Sequence, residues 1–216
     1  MTLVAFDFDG TLSDSEMTVL LGKQCGVADQ MAEITERAMN DEIAYAESLR
    51  QRCALLEGLP DEKAQAAFEQ VELRPETNAV LEGLTEAGIY TAILTGGFER
   101  GVDAALETEG VGVRTLVANR LPVENGKLTG DVRGPLIEGT KDDALEVLAA
   151  AVDEEMADTV AIGDGANDLP MLEAAGLAIG FSPKPAVSPA CDVIVESMAE
   201  LLELLEAEGI IDEARP

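Results

Sequence analysis

The chain has 216 residues, 47% of them hydrophobic, enough for one mid-sized core or a core with a small accessory unit. Its 14 basic against 43 acidic residues give a net charge of −29, which excludes nucleic acid and anionic membrane as partners. There is no His, so imidazole bases, Ser-His-Asp triads and imidazole metal sites are excluded, and any catalysis must use carboxylates, Lys, Arg, hydroxyls or an oxygen-held metal.

Trp is absent and aromatic residues make up 3%, so the core must be built from Ala, Val, Leu and Ile. The acidic excess pervades the chain. A charge of this size repels itself in dilute buffer, whereas at molar salt the screening length falls to roughly 3 Å. A salt-rich, halophilic cytosol is therefore expected. Cys25, Cys53 and Cys191 are scattered and form no CxxC pair, which argues against zinc or disulfides and for small apolar fillers. No apolar run is long enough to span a membrane. Met1 to Phe6 is too short for a secretory signal before Asp7, so a cytoplasmic protein is expected.

In chain order, Leu3–Phe6 is a continuous apolar run that ends in Asp7-Phe8-Asp9-Gly10-Thr11. Residues 14–73 carry no strand signal and have helix-like stretches at Ala28–Met39, Ala44–Leu56 and Asp61–Val71. They are predicted to form a helical cap (14–73) inserted into an α/β core (1–13 and 74–216). A helix opens at Pro75 and closes before Gly88. The run Tyr90–Leu94 leads into Thr95-Gly96-Gly97, and a helix over Arg100–Glu109 is closed by Gly110. Thr115 to Val132 is hairpin-like, with an Asn125-Gly126 turn. Then come a helix over Asp142–Val152, a strand over Thr159–Ile162 ending in Gly163-Asp164-Gly165-Ala166-Asn167-Asp168, strands at Leu177–Phe181 and Asp192–Val195, and a helix over Met198–Ala207. Strands that are apolar throughout are buried on both faces. With helices between them they predict a doubly wound, Rossmann-like parallel sheet.

In an open parallel sheet the carboxyl ends of the strands share one edge, and ligands bind there. That edge gathers Asp7, Asp9, Thr95, Gly96, Asp164, Asn167 and Asp168. Crowded carboxylates tolerate one another when a divalent cation sits among them, and an all-oxygen set suits Mg²⁺. Thr95 and the glycines after it offer a hydroxyl and backbone N–H groups to an anion. Lys141, at a predicted helix start where a cation is unfavourable, is placed to neutralise phosphate. Phosphoryl transfer to a carboxylate is the chemistry such a set supports.

Asp7-Phe-Asp-Gly-Thr11, Thr95, Lys141 and Gly163-Asp-Gly-Ala-Asn-Asp168 match the four motifs of the haloacid dehalogenase-like phosphatase superfamily, which the chain resembles from residue 3 to about 181. Within it, the chain resembles the phosphoserine phosphatases most closely, through Thr95-Gly-Gly-Phe98, Ala118-Asn-Arg-Leu121, Gly126-Lys-Leu-Thr-Gly130, Glu16 and Ser48-Leu-Arg-Gln-Arg52. The resemblance implies that Asp7 attacks phosphorus and that Asp9 first protonates the leaving oxygen, then activates water. It implies that the Asp7 side chain, the Asp9 backbone carbonyl and Asp164 hold Mg²⁺, with Asp168 positioning the site. It implies phosphate binding by Thr95, Gly96, Lys141 and Asn167. Glu16 would take the ammonium of phosphoserine and Arg52 its carboxylate, with Met39 and Tyr45 on the cap side. Gly10 and Thr95 depart from the family, which often has Ser at both positions. Three alternatives stay open: hydrolysis of another small phosphorylated metabolite or transfer to an alcohol such as homoserine, a phospho-accepting receiver module, and a non-catalytic binding protein.

Overall fold

A computed structural model describes residues 2–39 and 42–211. Its main sheet has six strands in the order β3-β2-β1-β6-β7-β8. These are β1 (Leu3–Phe6), β2 (Tyr90–Phe98), β3 (Thr115–Asn119), β6 (Thr159–Gly163), β7 (Leu177–Phe181) and β8 (Val193–Val195). Every pairing in it is parallel, with Leu3 opposite Tyr90 on one side and Thr159 on the other.

Alternate residues of each strand enter opposite cores, as a period of two requires. Val4, Phe6, Ile93, Ile162 and Ile179 join one cluster. Leu3, Ala5, Ala92, Leu94, Ala161 and Ala178 join the other. The first face is covered by α5 (Thr77–Glu86), α6 (Glu99–Glu109) and α9 (Met198–Ala207), through residues such as Leu81, Val102 and Leu201. The second is covered by α7 (Lys141–Ala151) and α8 (Leu169–Ala174), through Leu145, Ala149, Met171 and Leu172. The chain winds outward from β1 in one direction through β2 and β3, then in the other through β6, β7 and β8. The order reverses beside β1, which is where a crevice forms.

Between β1 and α5 lie α1 (Met17–Cys25), α2 (Ala28–Met39), α3 (Tyr45–Ala54) and α4 (Asp61–Phe68). The two connections to this helical insertion are bound together. Ser13 Oγ donates to the Glu72 carbonyl at 2.6 Å, the Glu72 N–H donates to Ser15 Oγ at 3.2 Å, and the Arg74 N–H donates to the Leu12 carbonyl at 2.8 Å. At the other end Arg100 of α6 reaches Asp61 Oδ1 of α4 at 2.6 Å and lies 5.1 Å from the centre of the Phe68 ring. A hairpin of β4 (Val123–Glu124) and β5 (Lys127–Leu128) turns at Asn125 and Gly126, both at positive φ (52° and 72°), as a tight hairpin turn requires. It braces the insertion, with the Gly58 N–H donating to the Leu128 carbonyl at 2.9 Å.

Three local features differ from the sequence expectations. Thr115–Asn119 is the outer strand of the main sheet rather than part of a hairpin. The strand opened at Tyr90 runs on to Phe98 through a shift in register between Leu94 and Phe98. The helix α1 went unpredicted; it buries Thr18 and Gly22 beside Met17 and Leu21, so its buried stripe is not apolar in sequence. Among the described residues, no helix is long and apolar enough to cross a membrane.

Candidate active site

The residue after β1 is Asp7, and its N–H donates to the Ile162 carbonyl at 2.8 Å, which fixes the strand end against β6. The chain then folds back on itself, with the Ser13 N–H donating to the Phe8 carbonyl at 3.0 Å. Gly10 sits in that turn at φ +95°, and a Cβ there would come within 2.5 Å of Asp164 Oδ1. Both the backbone angle and the proximity of the second loop explain glycine at this position. Asp9 is carried into the crevice by the same turn.

Asp7, Asp164 and Asp168 each bring a carboxylate oxygen within 4.8 Å of the others. Lys141, the first residue of α7, is buried among them. It pairs with Asp7 Oδ1 and, at 2.5 Å, with Asp168 Oδ1. Asp168 is fully engaged: Oδ1 also accepts from Asn167 Nδ2 at 3.2 Å, and Oδ2 accepts the N–H groups of Asp164 and Gly165 at 2.9 Å each. It therefore ties the loop after β6 together, whereas Asp7 and Asp164 keep oxygens to offer a ligand. Asp9 Oδ1 is buried without a hydrogen-bond partner among the described residues.

Burial and the charge of Asp168 push Asp7 up to about 7, against the pull of Lys141. Burial, then Glu16 and Asp7, raises Asp9 well above the usual carboxylate range. Burial raises Asp164 as well, with Lys184 opposing. Burial works against the Lys141 cation, but Asp168 and Asp7 outweigh it and raise its proton affinity. Two ammonium groups, Lys141 and Lys184, do not balance the carboxylates of Asp7, Asp9, Asp164 and Asp168, and an all-oxygen donor set of this kind fits a hard divalent cation.

On the neighbouring strand, Thr95 Oγ1 accepts the Gly97 N–H at 2.9 Å. Buried Asn119 donates to the Gly96 carbonyl at 3.0 Å and accepts the Leu136 N–H at 3.1 Å. These bonds lie where the register of the strand pair shifts, between Leu94 and Phe98. A Cβ on Gly97 would approach Asp9 Oδ2 to 2.8 Å.

A cavity of about 360 Å³ opens over these strand ends. Asp7, Asp9, Asp164, Thr95, Gly96 and Asn167 line it from the strand ends, its floor, and Glu16, Tyr45 and Arg52 line it from the helical insertion. Arg52 is 8% exposed; its Nη1 donates to Thr18 Oγ1 at 3.1 Å, and its Nε is buried without a partner among the described residues. The Tyr45 hydroxyl closes against Gly96, where any Cβ would overlap it, and burial pushes that hydroxyl up to about 12. Lys141 and Asp168 do not line the cavity but lie behind Asp7. The Met39 side chain lies outside the described residues.

Residues 4–173 match the family described as haloacid dehalogenase-like hydrolase. The chain belongs to that family. This hydrolase is 50% identical over 210 residues to a phosphoserine phosphatase of Halobacterium salinarum, covering 97% of this chain and 100% of that protein. It is 37% identical over 205 residues to a phosphoserine phosphatase of Methanocaldococcus jannaschii, covering 94% and 96%. Its fold superposes on a substrate-bound phosphoserine phosphatase complex with a TM-score of 0.88 at 35% identity, covering 94% of this chain and 97% of that one. A phospho-aspartyl intermediate analogue of phosphoserine phosphatase gives a TM-score of 0.87 at 35% identity, covering 94% and 98%.

Sequence analysis did not single out several residues of the hydrolase that the fold brings to the site. Lys184 lines the cavity and reaches Asp164 Oδ2 at 3.1 Å. Thr18 and Ser48 line the wall beside Arg52, and Asn119 orders Gly96 from behind. Asn119 and Ser48 lie within stretches that resemble the phosphoserine phosphatases; Lys184 lies between two prolines and carries no such signal.

Proposed function

We propose that the chain hydrolyses O-phospho-L-serine to L-serine and inorganic phosphate, with Mg²⁺ as its cofactor. The observation that carries the substrate is that the helical insertion brings one acid, Glu16, and one buried guanidinium, Arg52, to the same cavity as Asp7 and Asp9. A zwitterionic amino acid requires such a pair, and an arginine fork suits its carboxylate.

In this reading an Asp7 oxygen attacks phosphorus, the bond from phosphorus to the seryl oxygen breaks, and Asp9 gives that oxygen its proton. The phosphoryl group is then on Asp7. Asp9, now a carboxylate, takes a proton from water as the water oxygen attacks phosphorus. The bond to Asp7 breaks, phosphate leaves, and Asp9 is protonated again. The raised proton affinity of Asp9 suits a group that starts as the acid. Asp7, Asp164 and the Asp9 carbonyl would hold Mg²⁺, which when bound supplies the positive charge that lets a phosphate dianion approach this acidic floor. Thr95, Gly96 and Asn167 would hold the phosphate oxygens. Lys141 would act on them through Asp7, and Asp168 would keep Lys141 and the loop after β6 in place. Tyr45 would cover the phosphate from the cap side. We also take residues 14–73 as a cap that moves against a core of 1–13 and 74–216. The paired connections at Ser13–Ser15 and Glu72–Arg74 support this hinge.

The test is phosphate release from a panel of small phosphomonoesters, with Mg²⁺ and with EDTA, in dilute and in molar KCl. Phosphoserine should lead, and EDTA should abolish the signal. A different leading ester would remove the substrate assignment and leave the Asp7 chemistry; activity that survives EDTA would remove the metal.

A further inference from the structure

Apart from Arg52, the cationic residue that lines the cavity among the described residues is Lys184. It reaches the acidic floor from the cavity, which Lys141 does not line. Its Nζ lies 3.1 Å from Asp164 Oδ2, with the Lys184 side chain 47% exposed and that of Asp164 12% exposed. The backbone holds it there. The Lys184 N–H donates to the Asp164 carbonyl at 2.9 Å, and the Lys184 carbonyl accepts the Val187 N–H at 2.8 Å. Pro183 and Pro185 stiffen the segment on either side. The ammonium passes over Gly165, where a Cβ would stand 3.4 Å from it. Glu16, which also lines the cavity, lies close enough to act on it electrostatically.

Lys141 and Lys184 therefore divide the cluster. Lys141 is sealed behind Asp7 and Asp168 and reaches neither solvent nor cavity. Lys184 engages Asp164, the carboxylate that otherwise has free oxygens, and it does so from the open side. An ammonium and a divalent cation make the same demand on those oxygens. The tether keeps the ammonium in the cavity when it gives up its place, and there it faces an incoming phosphate group.

We propose that Lys184 is a positioning residue, a tethered counter-cation that holds Asp164 before Mg²⁺ binds, competes with Mg²⁺ for it, and then draws the phosphate dianion over the metal-loaded floor. The inference rests on the metal reading above and deepens it. A purely structural lysine predicts that its loss weakens both ligands. A competing counter-cation predicts opposite movements, with Mg²⁺ bound more tightly and the anion more weakly.

The experiment is calorimetric titration at fixed KCl. MgCl₂ is titrated into metal-stripped wild type, Lys184→Met and Lys184→Arg, and inorganic phosphate into the same proteins loaded with Mg²⁺. Lys184→Met should bind Mg²⁺ roughly two- to fivefold more tightly and phosphate weaker by a similar factor, the range a half-exposed charge pair supports. Lys184→Arg should stay within about twofold of wild type for both, because the charge is kept. Mg²⁺ binding by Lys184→Met that is equal to or weaker than wild type overturns the competition. Unchanged phosphate affinity overturns the role in drawing the anion. If wild type binds no Mg²⁺, the metal reading fails and this inference with it. Should Lys184→Met not fold, Lys184→Gln carries the same comparison.

Discussion

Replacement of Arg52 by alanine tests the substrate wall most directly. Arg52 is 8% exposed and is held by Thr18 at 3.1 Å, and its Nε has no protein partner among the described residues. The guanidinium is therefore desolvated and oriented before any ligand arrives. Removing it would leave the carboxylate of phosphoserine buried against Thr18 and Ser48 with no cation. Truncating one member of a buried, hydrogen-bonded charge pair costs about 2–5 kcal/mol. Taking about 3 kcal/mol from the middle of that range, kcat/KM for phosphoserine should fall roughly a hundredfold or somewhat more. p-Nitrophenyl phosphate has no carboxylate, so its kcat/KM should change by less than about fivefold, the factor that corresponds to about 1 kcal/mol. Arg52→Lys keeps the charge and loses the fork, and should recover part of the loss. The assay is steady-state phosphate release with both substrates, beside a thermal unfolding curve for each variant. Equal losses on the two esters would refute the assignment of Arg52 to the substrate carboxylate.

Four further outcomes are expected. Asp7→Asn keeps the shape of the side chain and removes the nucleophile, so multiple turnover of phosphoserine should vanish; appreciable residual turnover would show that another group attacks phosphorus. Lys141→Met leaves Asp7 and Asp168 buried without their shared cation, and should lower the free energy of unfolding by about 3–5 kcal/mol in urea denaturation; an unchanged midpoint would mean that the pair contributes nothing net. Burial pushes Cys53 up to about 12 from 9.0, so the folded state favours the neutral thiol. The stability this contributes is complete below about pH 9 and is lost as pH rises toward 12, and at pH 8 Cys53 should react with a thiol reagent only after unfolding, whereas exposed Cys25 reacts in the native protein. With a net charge of −29, the unfolding temperature should rise steadily between dilute and molar KCl as the screening length falls from about 10 to about 3 Å, and a flat response would dismiss the halophilic reading.

The sheet was legible because burial on both faces leaves an unmistakable trace. Leu3–Phe6, Thr159–Ile162 and Leu177–Phe181 are apolar without alternation, and each is a central or near-central strand. Thr115–Asn119 lies at the edge, half-buried, and its apolar run is only Leu116 to Ala118 before a polar Asn ends it, so the trace is shorter. Its Asn119 is polar for a reason that only the neighbouring strand reveals, since it donates to the Gly96 carbonyl. The helix α1 was missed for a related cause, because Thr18 faces Arg52 and Gly22 makes room for Met31, so function and close packing displace the apolar residues that a periodicity search needs.

The site was legible to the same extent that it is local. Asp7 and Asp9, Thr95 to Gly97, and Asp164 to Asp168 are short strings at strand ends, and the topology alone brings them to one edge. The partition of labour among the charges is not local. Lys141 and Lys184 both reach the carboxylate cluster, yet one is sealed behind it and the other stands in the cavity, and nothing in the residues around either lysine distinguishes a buried cation from a tethered one. That distinction comes from α7 starting beneath Asp7 and from the turn after β7 folding back over Asp164. Asp168 illustrates the same point. The resemblance gives it a positioning role, and the fold shows how that role is filled, with both its oxygens spent on Lys141, Asn167 and two backbone N–H groups. It therefore contributes order to the site, and the open oxygens that can meet a cation are left to Asp7 and Asp164.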